Sequence, residues 1–288
     1  MFYCLGKWET DVKKRKKIRI SFLLVEIIFS LYALTLLFPF YYLLLNSLKT
    51  NGEFIRNIYS FPKAPQFSNY AQTFIKYNFF YMFVNSTVLT VGGVFGSLLA
   101  TSVAAYVMAR YDFTGKKVIW NIVIAMMLIP GIGTLGATYE IVYRLRLVNQ
   151  VHGVIIMYSS AFGMNFLLLY SYFKGVARTY AEAAAIDGAG HTRIMFQIML
   201  PQAIAGMFAI LVLQFIGIWN DYMTPFLFLP KILTIAVSLQ DLTMNATSQG
   251  QYVQMFAAMI IALIPVLLIF GIFQKQVMNA TMVGGIKG

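Results

Sequence analysis

The chain has 288 residues, 59% hydrophobic and only 11% charged, with mean hydropathy +0.72. Soluble domains carry about 25% charged residues, so a soluble enzyme is excluded and a polytopic membrane protein is implied. The net charge of +12 does not point to nucleic acid, because its densest part is a cluster just ahead of the first apolar run.

A helix needs about 20 apolar residues to cross the hydrocarbon core. Six runs qualify: 20–45, 82–109, 118–137, 151–173, 203–229 and 253–273. They predict an all-α membrane protein with six transmembrane helices over 20–275, a basic arm at 1–19 and a short tail at 276–288. No long polar stretch is left for a soluble domain. The arm carries Lys7, Lys13, Lys14, Arg15, Lys16, Lys17 and Arg19, an anchor for anionic lipid. The run behind it is too long for a cleaved signal peptide and lacks a small-residue cleavage site. Cys4 is the only cysteine, so no internal disulfide is available. His152 and His191 are far apart without companion ligands, and no metal site is expected. Glu26 lies about two turns from Arg19, close enough to reach water at the inner surface.

Residues 46–81 form the longest loop between runs. It opens with Asn46-Ser47-Leu48-Lys49-Thr50 and contains Pro62 and Pro65. Tyr70, Phe74, Tyr77 and Tyr81 recur at i, i+4, i+7 and i+11, the spacing of one helical face. Such a face suits either the outer membrane interface or neighbouring spans. In the second run, Gly92 and Gly96 form a GxxxG pair that permits close helix approach. The third holds Met126-Met127 and Pro130-Gly131, a kink signal. The fourth holds Ser159, Ser160 and Gly163, small residues suited to a helix interface.

Residues 174–202 are too polar to span and too patterned for a linker. Tyr180 to Ile186 is Ala-rich and reads as a short helix. Gly188-Ala189-Gly190 supplies a stop that tolerates left-handed backbone. Thr192 is placed to cap a second short helix ending near Met199, and Pro201 sits in the first turn of a third. The stretch predicts a helix–turn–helix at a membrane surface between spans four and five.

In the fifth run, Trp219-Asn220-Asp221-Tyr222 is the main intramembrane polar group. At 1.5 Å per residue Asp221 lies roughly 30 Å beyond Pro201, in the outer half of the bilayer. A carboxylate there faces the bundle interior or a water cavity; the alternative is a self-hydrating cap at the outer interface.

Orientation follows from Lys and Arg. With the N-terminus inside, seven precede span one, three lie between spans two and three, three in 174–202 and two after span six (Lys275 and Lys287), fifteen in all. Seven of the 22 fall outside. This predicts both termini and the 174–202 stretch in the cytoplasm.

Glu182-Ala183-Ala184, Gly188, Ile198 and Leu200-Pro201, spread over 20 residues, resemble the EAA loop of ABC-importer permeases at every fixed position. Asn85-Ser86, Ile186-Asp187-Gly188-Ala189, Trp219-Asn220-Asp221 and the Gly284–Gly288 ending resemble the carbohydrate-uptake, maltose-transporter-like class, and in particular its second, shorter permease. The resemblance implies a bacterial cell-membrane subunit that forms a heterodimer with a second permease. Two ATPase subunits and an extracytoplasmic solute-binding protein complete the assembly, with a sugar or oligosaccharide as cargo and no nucleic acid. It implies that Glu182, Ala183, Ala184, Asp187, Gly188, Ile198, Leu200 and Pro201 dock a coupling helix in a cleft of the ATPase. Trp219, Asn220, Asp221 and Tyr222 would border the translocation path, although the sugar site in this class can lie largely on the partner permease. The chain has no G-x-x-x-x-G-K-[ST]; Gly115-Lys116-Lys117 is a basic turn. It is therefore expected to be no enzyme and to bind no cofactor, with ATP and Mg on the separate ATPase. A non-sugar solute is an alternative. So, from another class, is an ion-coupled secondary transporter, which would need a relay of intramembrane titratable groups.

Overall fold

A computed structural model describes the backbone of residues 2–129 and 131–285, and the side chains of 22–129, 133–204, 206–246 and 248–275. The seven basic side chains of the arm, Cys4, Pro130 and the side chains of the 276–288 tail, including the Gly284–Gly288 ending, lie outside what is described. Every regular element among the described residues is helical. In order they are α1 (Phe2–Ser47), α2 (Asn51–Arg56), α3 (Ser68–Lys76), α4 (Phe79–Arg110), α5 (Lys116–Leu128), a 3₁₀ turn (Gly131–Thr134) and α6 (Leu135–Arg144). Then come α7 (Val151–Tyr158), α8 (Met164–Gly175), α9 (Thr179–Ile186), α10 (His191–Arg193), a π-helical turn (Ile194–Met199) and α11 (Leu200–Gln202). Last are α12 (Ile204–Asn220), α13 (Met223–Phe228), α14 (Ile235–Gln249) and α15 (Tyr252–Gly285).

Among the described residues three helices are long and apolar enough to cross a membrane unbroken: Phe22–Ser47, Phe79–Arg110 and Tyr252–Lys275. They coincide with the first, second and sixth predicted runs. The third, fourth and fifth runs are each divided. In the third, α5 ends at Leu128 and the backbone at Ile129 is extended. In the fourth, α7 ends at Tyr158 and α8 begins after Gly163, whose φ of +140° favours glycine. In the fifth, α12 ends at Asn220 and Asp221 is extended. Backbone groups freed by such breaks need other partners at membrane depth. Here Thr101 of α4 donates to the Ser160 carbonyl at 3.3 Å, and the Asp221 carboxylate accepts from the Thr224 N–H at 3.1 Å.

The fold is built around α4, which packs against α3, α7, α8, α12 and α14. Its glycines make this possible. A Cβ at Gly92 would lie 2.7 Å from Ile155 Cδ1 of α7, one at Gly93 2.9 Å from both Tyr158 Cβ and Ile218 Cδ1, and one at Gly96 would strike Ser159. The GxxxG pair thus seats α7 on α4, as its spacing predicts. Among the described side chains of α1, only those at its C-terminal end are covered: Tyr42 meets Phe256 of α15 edge-on at 5.8 Å, whereas residues 22–40 are exposed.

Where α1 ends, α2 docks on α15 through Phe54, 5.0 Å from the Tyr252 ring and 5.2 Å from Phe256. Lys49 is fully buried there. Its Nζ donates to Asn46 Oδ1 at 2.8 Å and to the Asn57 and Ile58 carbonyls at 3.2 and 3.0 Å. Burial pulls its pKa below the usual lysine value, and the Glu53 carboxylate partly opposes that shift. The predicted aromatic face does not form. Helix α3 ends at Lys76, and Asn78, at φ +50°, starts α4 in a new direction. Tyr70 then bonds Ser47 at 2.6 Å, Phe74 stacks on Phe79 at 6.3 Å, and Tyr77 bonds Gln251, while Tyr81 is exposed.

Helix α14 occupies a stretch read from sequence as an outer connection. Thr234 caps it by accepting from the Val237 N–H, and Gly250, at φ +64°, ends it. Ile235, Leu242 and Ala246 bury its inner face. Their helical spacing and the two caps were signals available in the sequence.

Candidate functional site

The 174–202 stretch folds as a surface helix–turn–helix. The Ala-rich α9 has little side-chain entropy to lose and closes in a Schellman turn. The Ala189 N–H bonds the Ala184 carbonyl at 2.9 Å and the Gly188 N–H bonds the Ala185 carbonyl at 3.1 Å. Gly188 takes φ +80°, as the Gly-Ala-Gly turn predicts, and no atom lies within 4 Å of where its Cβ would be. The second arm starts at His191 with Gly190 as its cap residue, so Thr192 lies inside the helix and does not cap it. That arm passes through the π-helical turn, which shifts the register of its side chains. Pro201 sits in the first turn of α11, where no N–H is missed. The chain then bends by 81° into α12.

The hairpin has two faces. Ala184, Ile194, Met195 and Met199 are buried in one cluster with Ala105, Tyr106 and Met108 of α4 and Phe173 of α8, and Ile198 and Leu200 pack on its edge. Glu182, Ala183, Asp187, Gly188 and Pro201 are exposed, and Ile186 is 87% exposed. An exposed carboxylate, a small-residue surface and an isoleucine standing almost free make a face shaped for contact.

The Trp219–Tyr222 group divides likewise. Trp219 is buried, its indole N–H donating to the Ala262 carbonyl at 3.1 Å and its ring 5.7 Å from Phe215 and 5.6 Å from Phe83. The Asp221 carboxylate is half-buried. One oxygen accepts from the Tyr158 hydroxyl at 3.0 Å and the other from the Thr224 N–H, so it joins the breaks of the fourth and fifth runs. Asn220 and Tyr222 are exposed, with the Asn220 amide turned back to the Ile216 carbonyl at 2.9 Å. A cavity of about 10 Å³, lined by Ser86, Thr90, Tyr158, Asp221 and Thr234 among others, adjoins the carboxylate. Tyr158 is the partner that sequence reasoning missed; a hydroxyl beside Ser159-Ser160 in an apolar run was the available signal. Asn85 and Ser86 also acquire a role. The Asn85 amide donates to the Leu233 carbonyl at 2.9 Å and the Ser86 hydroxyl accepts from the Ile235 N–H at 2.9 Å, tying the start of α14 to α4.

Residues 92–281 match the family described as the inner membrane component of binding-protein-dependent transport systems. The chain is 31% identical over 259 residues to a diacetylchitobiose uptake system permease of Streptomyces coelicolor, covering 88% of this chain and 85% of that one. It is 29% identical to an arabinooligosaccharide transport permease of Bacillus subtilis, covering 92% and 95%. Its fold is similar to a chain of a bacterial ABC transporter involved in alginate import, with TM-score 0.77, 22% identity and coverage of 89% and 96%. The chain is therefore a member of the family of binding-protein-dependent transport system inner membrane components, the permeases of ABC importers.

Proposed function

We propose that this chain is one of two permeases that together form the path for a sugar or oligosaccharide, and that the hairpin couples it to a separate ATPase. The observation that carries the coupling reading is the two-faced hairpin. Its inner face is bound into the core by Ala184, Ile194, Met195 and Met199, while Glu182, Ala183, Asp187 and Gly188 stay open beside Ile186. Such a joint passes force from a docked partner into the bundle. Ile198, Leu200 and Pro201 connect it to α12. A carboxylate such as Glu182 suits an arginine on the ATPase. ATP and Mg belong on that subunit.

Six spans are proposed, the divided third, fourth and fifth counting as one each, with both termini and the hairpin in the cytoplasm of a bacterial cell. The exposed apolar length of α1 supports a second permease, because that surface needs cover by protein or lipid. Relatives named for chitobiose and arabinooligosaccharides support a sugar cargo. The family description supports an extracytoplasmic binding protein. Within the path, Asn220 and Tyr222 are the groups placed to meet cargo, and Trp219 and Asp221 hold the break beneath them.

Gly188→Asp and Glu182→Lys test the coupling. A Cβ at φ +80° costs about 1 kcal/mol from conformation alone. Both variants should insert and pair with the second permease, yet lose ATPase co-purification and sugar uptake. Full ATPase retention with normal uptake in both would refute the assignment.

A further inference from the structure

The hairpin meets the bundle through more than apolar packing. Arg110, the last residue of α4, donates through Nη2 to the Val176 carbonyl at 2.5 Å, just after α8. Tyr111, the next residue, shares a hydrogen bond of 3.0 Å between its hydroxyl and Nδ1 of His191, the first residue of α10. Their rings meet edge-on at 5.6 Å. Tyr106, one turn back, stands edge-on to Tyr111 at 5.8 Å and to Phe173 at 5.6 Å. Two consecutive residues at the end of α4 therefore grip the hairpin where its first arm begins and where its second arm begins.

What lies on either side of this grip gives it meaning. Helix α4 runs unbroken for 32 residues. Near its other end Ser86 and Asn85 hold the start of α14, and Gly93 lies against Tyr158, the partner of Asp221. It is a rigid rod from the hairpin to the outer break of span five. On the hairpin side, the π-helical turn begins only three residues after His191, and the 81° bend follows Gln202. Those are the compliant parts of this arm. Ile194, Met195 and Met199 hold the arm to α4 by packing within that turn; a tie at His191 holds it ahead of the compliant parts, so that less of a push is absorbed in them.

We propose that Tyr111 and His191 are positioning residues for coupling: their contact fixes the second arm of the hairpin to the end of α4, so that hairpin displacement moves α4 as a body. This rests on the coupling reading above. His191 is exposed and Tyr111 half-buried, but His191 lies on the second arm, beyond the Glu182–Gly188 face proposed to dock, so their loss should leave docking intact and degrade transmission.

The test uses the complete transporter in proteoliposomes, with both permeases, the ATPases and the binding protein, and measures ATP hydrolysed per sugar imported. Tyr111→Phe keeps the ring and removes the hydroxyl; His191→Phe keeps an edge-on ring and removes Nδ1. Each should retain the ATPase and its hydrolysis rate while raising ATP per sugar about three- to tenfold, the scale of one neutral hydrogen bond. The double variant should be no worse than either single, because one contact is lost in all three. Unchanged stoichiometry in both single variants, or losses that multiply in the double, would overturn the proposal. Glu182→Lys separates the two failures. If it releases the ATPase while Tyr111→Phe and His191→Phe are silent, the tie alone is wrong; if it and Gly188→Asp both retain the ATPase and uptake, the coupling reading itself falls.

Discussion

Removing the Asp221 carboxylate perturbs the junction between the fourth and fifth apolar runs in a graded way. One carboxylate oxygen accepts from the Thr224 N–H, opening α13, and the other from the Tyr158 hydroxyl. Asparagine can keep both bonds, because its oxygen caps the helix equally well and its amide can donate to the tyrosine oxygen. Only the charge assistance is lost, about 1 kcal/mol from the difference between charged and neutral hydrogen bonds. Alanine loses the cap, about 1 kcal/mol, and takes the charged partner from the Tyr158 hydroxyl, leaving it Thr224, about 1–3 kcal/mol more. Asp221→Ala should therefore destabilise by about 2–4 kcal/mol and Asp221→Asn by about 1. Asp221→Ala on a Tyr158→Phe background should cost less than on wild type, because the bond between the two side chains is already gone. Denaturant unfolding in detergent micelles, followed beside sugar uptake, gives the ranking. Equal stability of the Asn and Ala variants would refute the junction account. Wild-type stability with uptake abolished in Asp221→Asn would instead place the charge itself in the transport path.

Orientation predicts that a cysteine at Lys63 labels with an impermeant reagent from outside the cell and one at Thr192 does not; both side chains are exposed, and external labelling of Thr192→Cys would reverse the topology. Gly93→Ala should destabilise by about 1–3 kcal/mol, since the new Cβ lies 2.9 Å from Tyr158 Cβ, which no side-chain rotation can move. Gly217→Ala, also in a helix but with nothing within 4 Å, is the control and should be neutral or gain about 0.5–1 kcal/mol; equal losses in the two would show that the approach of α4 to α7 is not tight.

Local chemistry was legible in the sequence. The Ala-rich run and Gly-Ala-Gly turn form α9 and a left-handed Gly188 because those choices are made within a few residues. Gly92 and Gly96 seat α7 for a similar reason: two missing side chains one turn apart leave a groove whatever fills it. Runs one, two and six become unbroken helices, as their length and hydropathy predict, even across Pro39 and Pro265. Thr192 and the aromatic row failed on local detail, an earlier helix start at His191 and a helix break at Tyr77–Asn78.

The tertiary structure decided where runs three to five break. Hydropathy is the same for one helix and for two halves, and a break survives only where distant groups satisfy the freed backbone. Thr101 does this for Ser160 across 59 residues, and Tyr158 reaches Asp221 across 63. The same distance hid the tie between Tyr111 and His191, 80 residues apart. Sequence spacing specifies a face of a helix; which face another helix meets, and at what height, depends on how the elements pack.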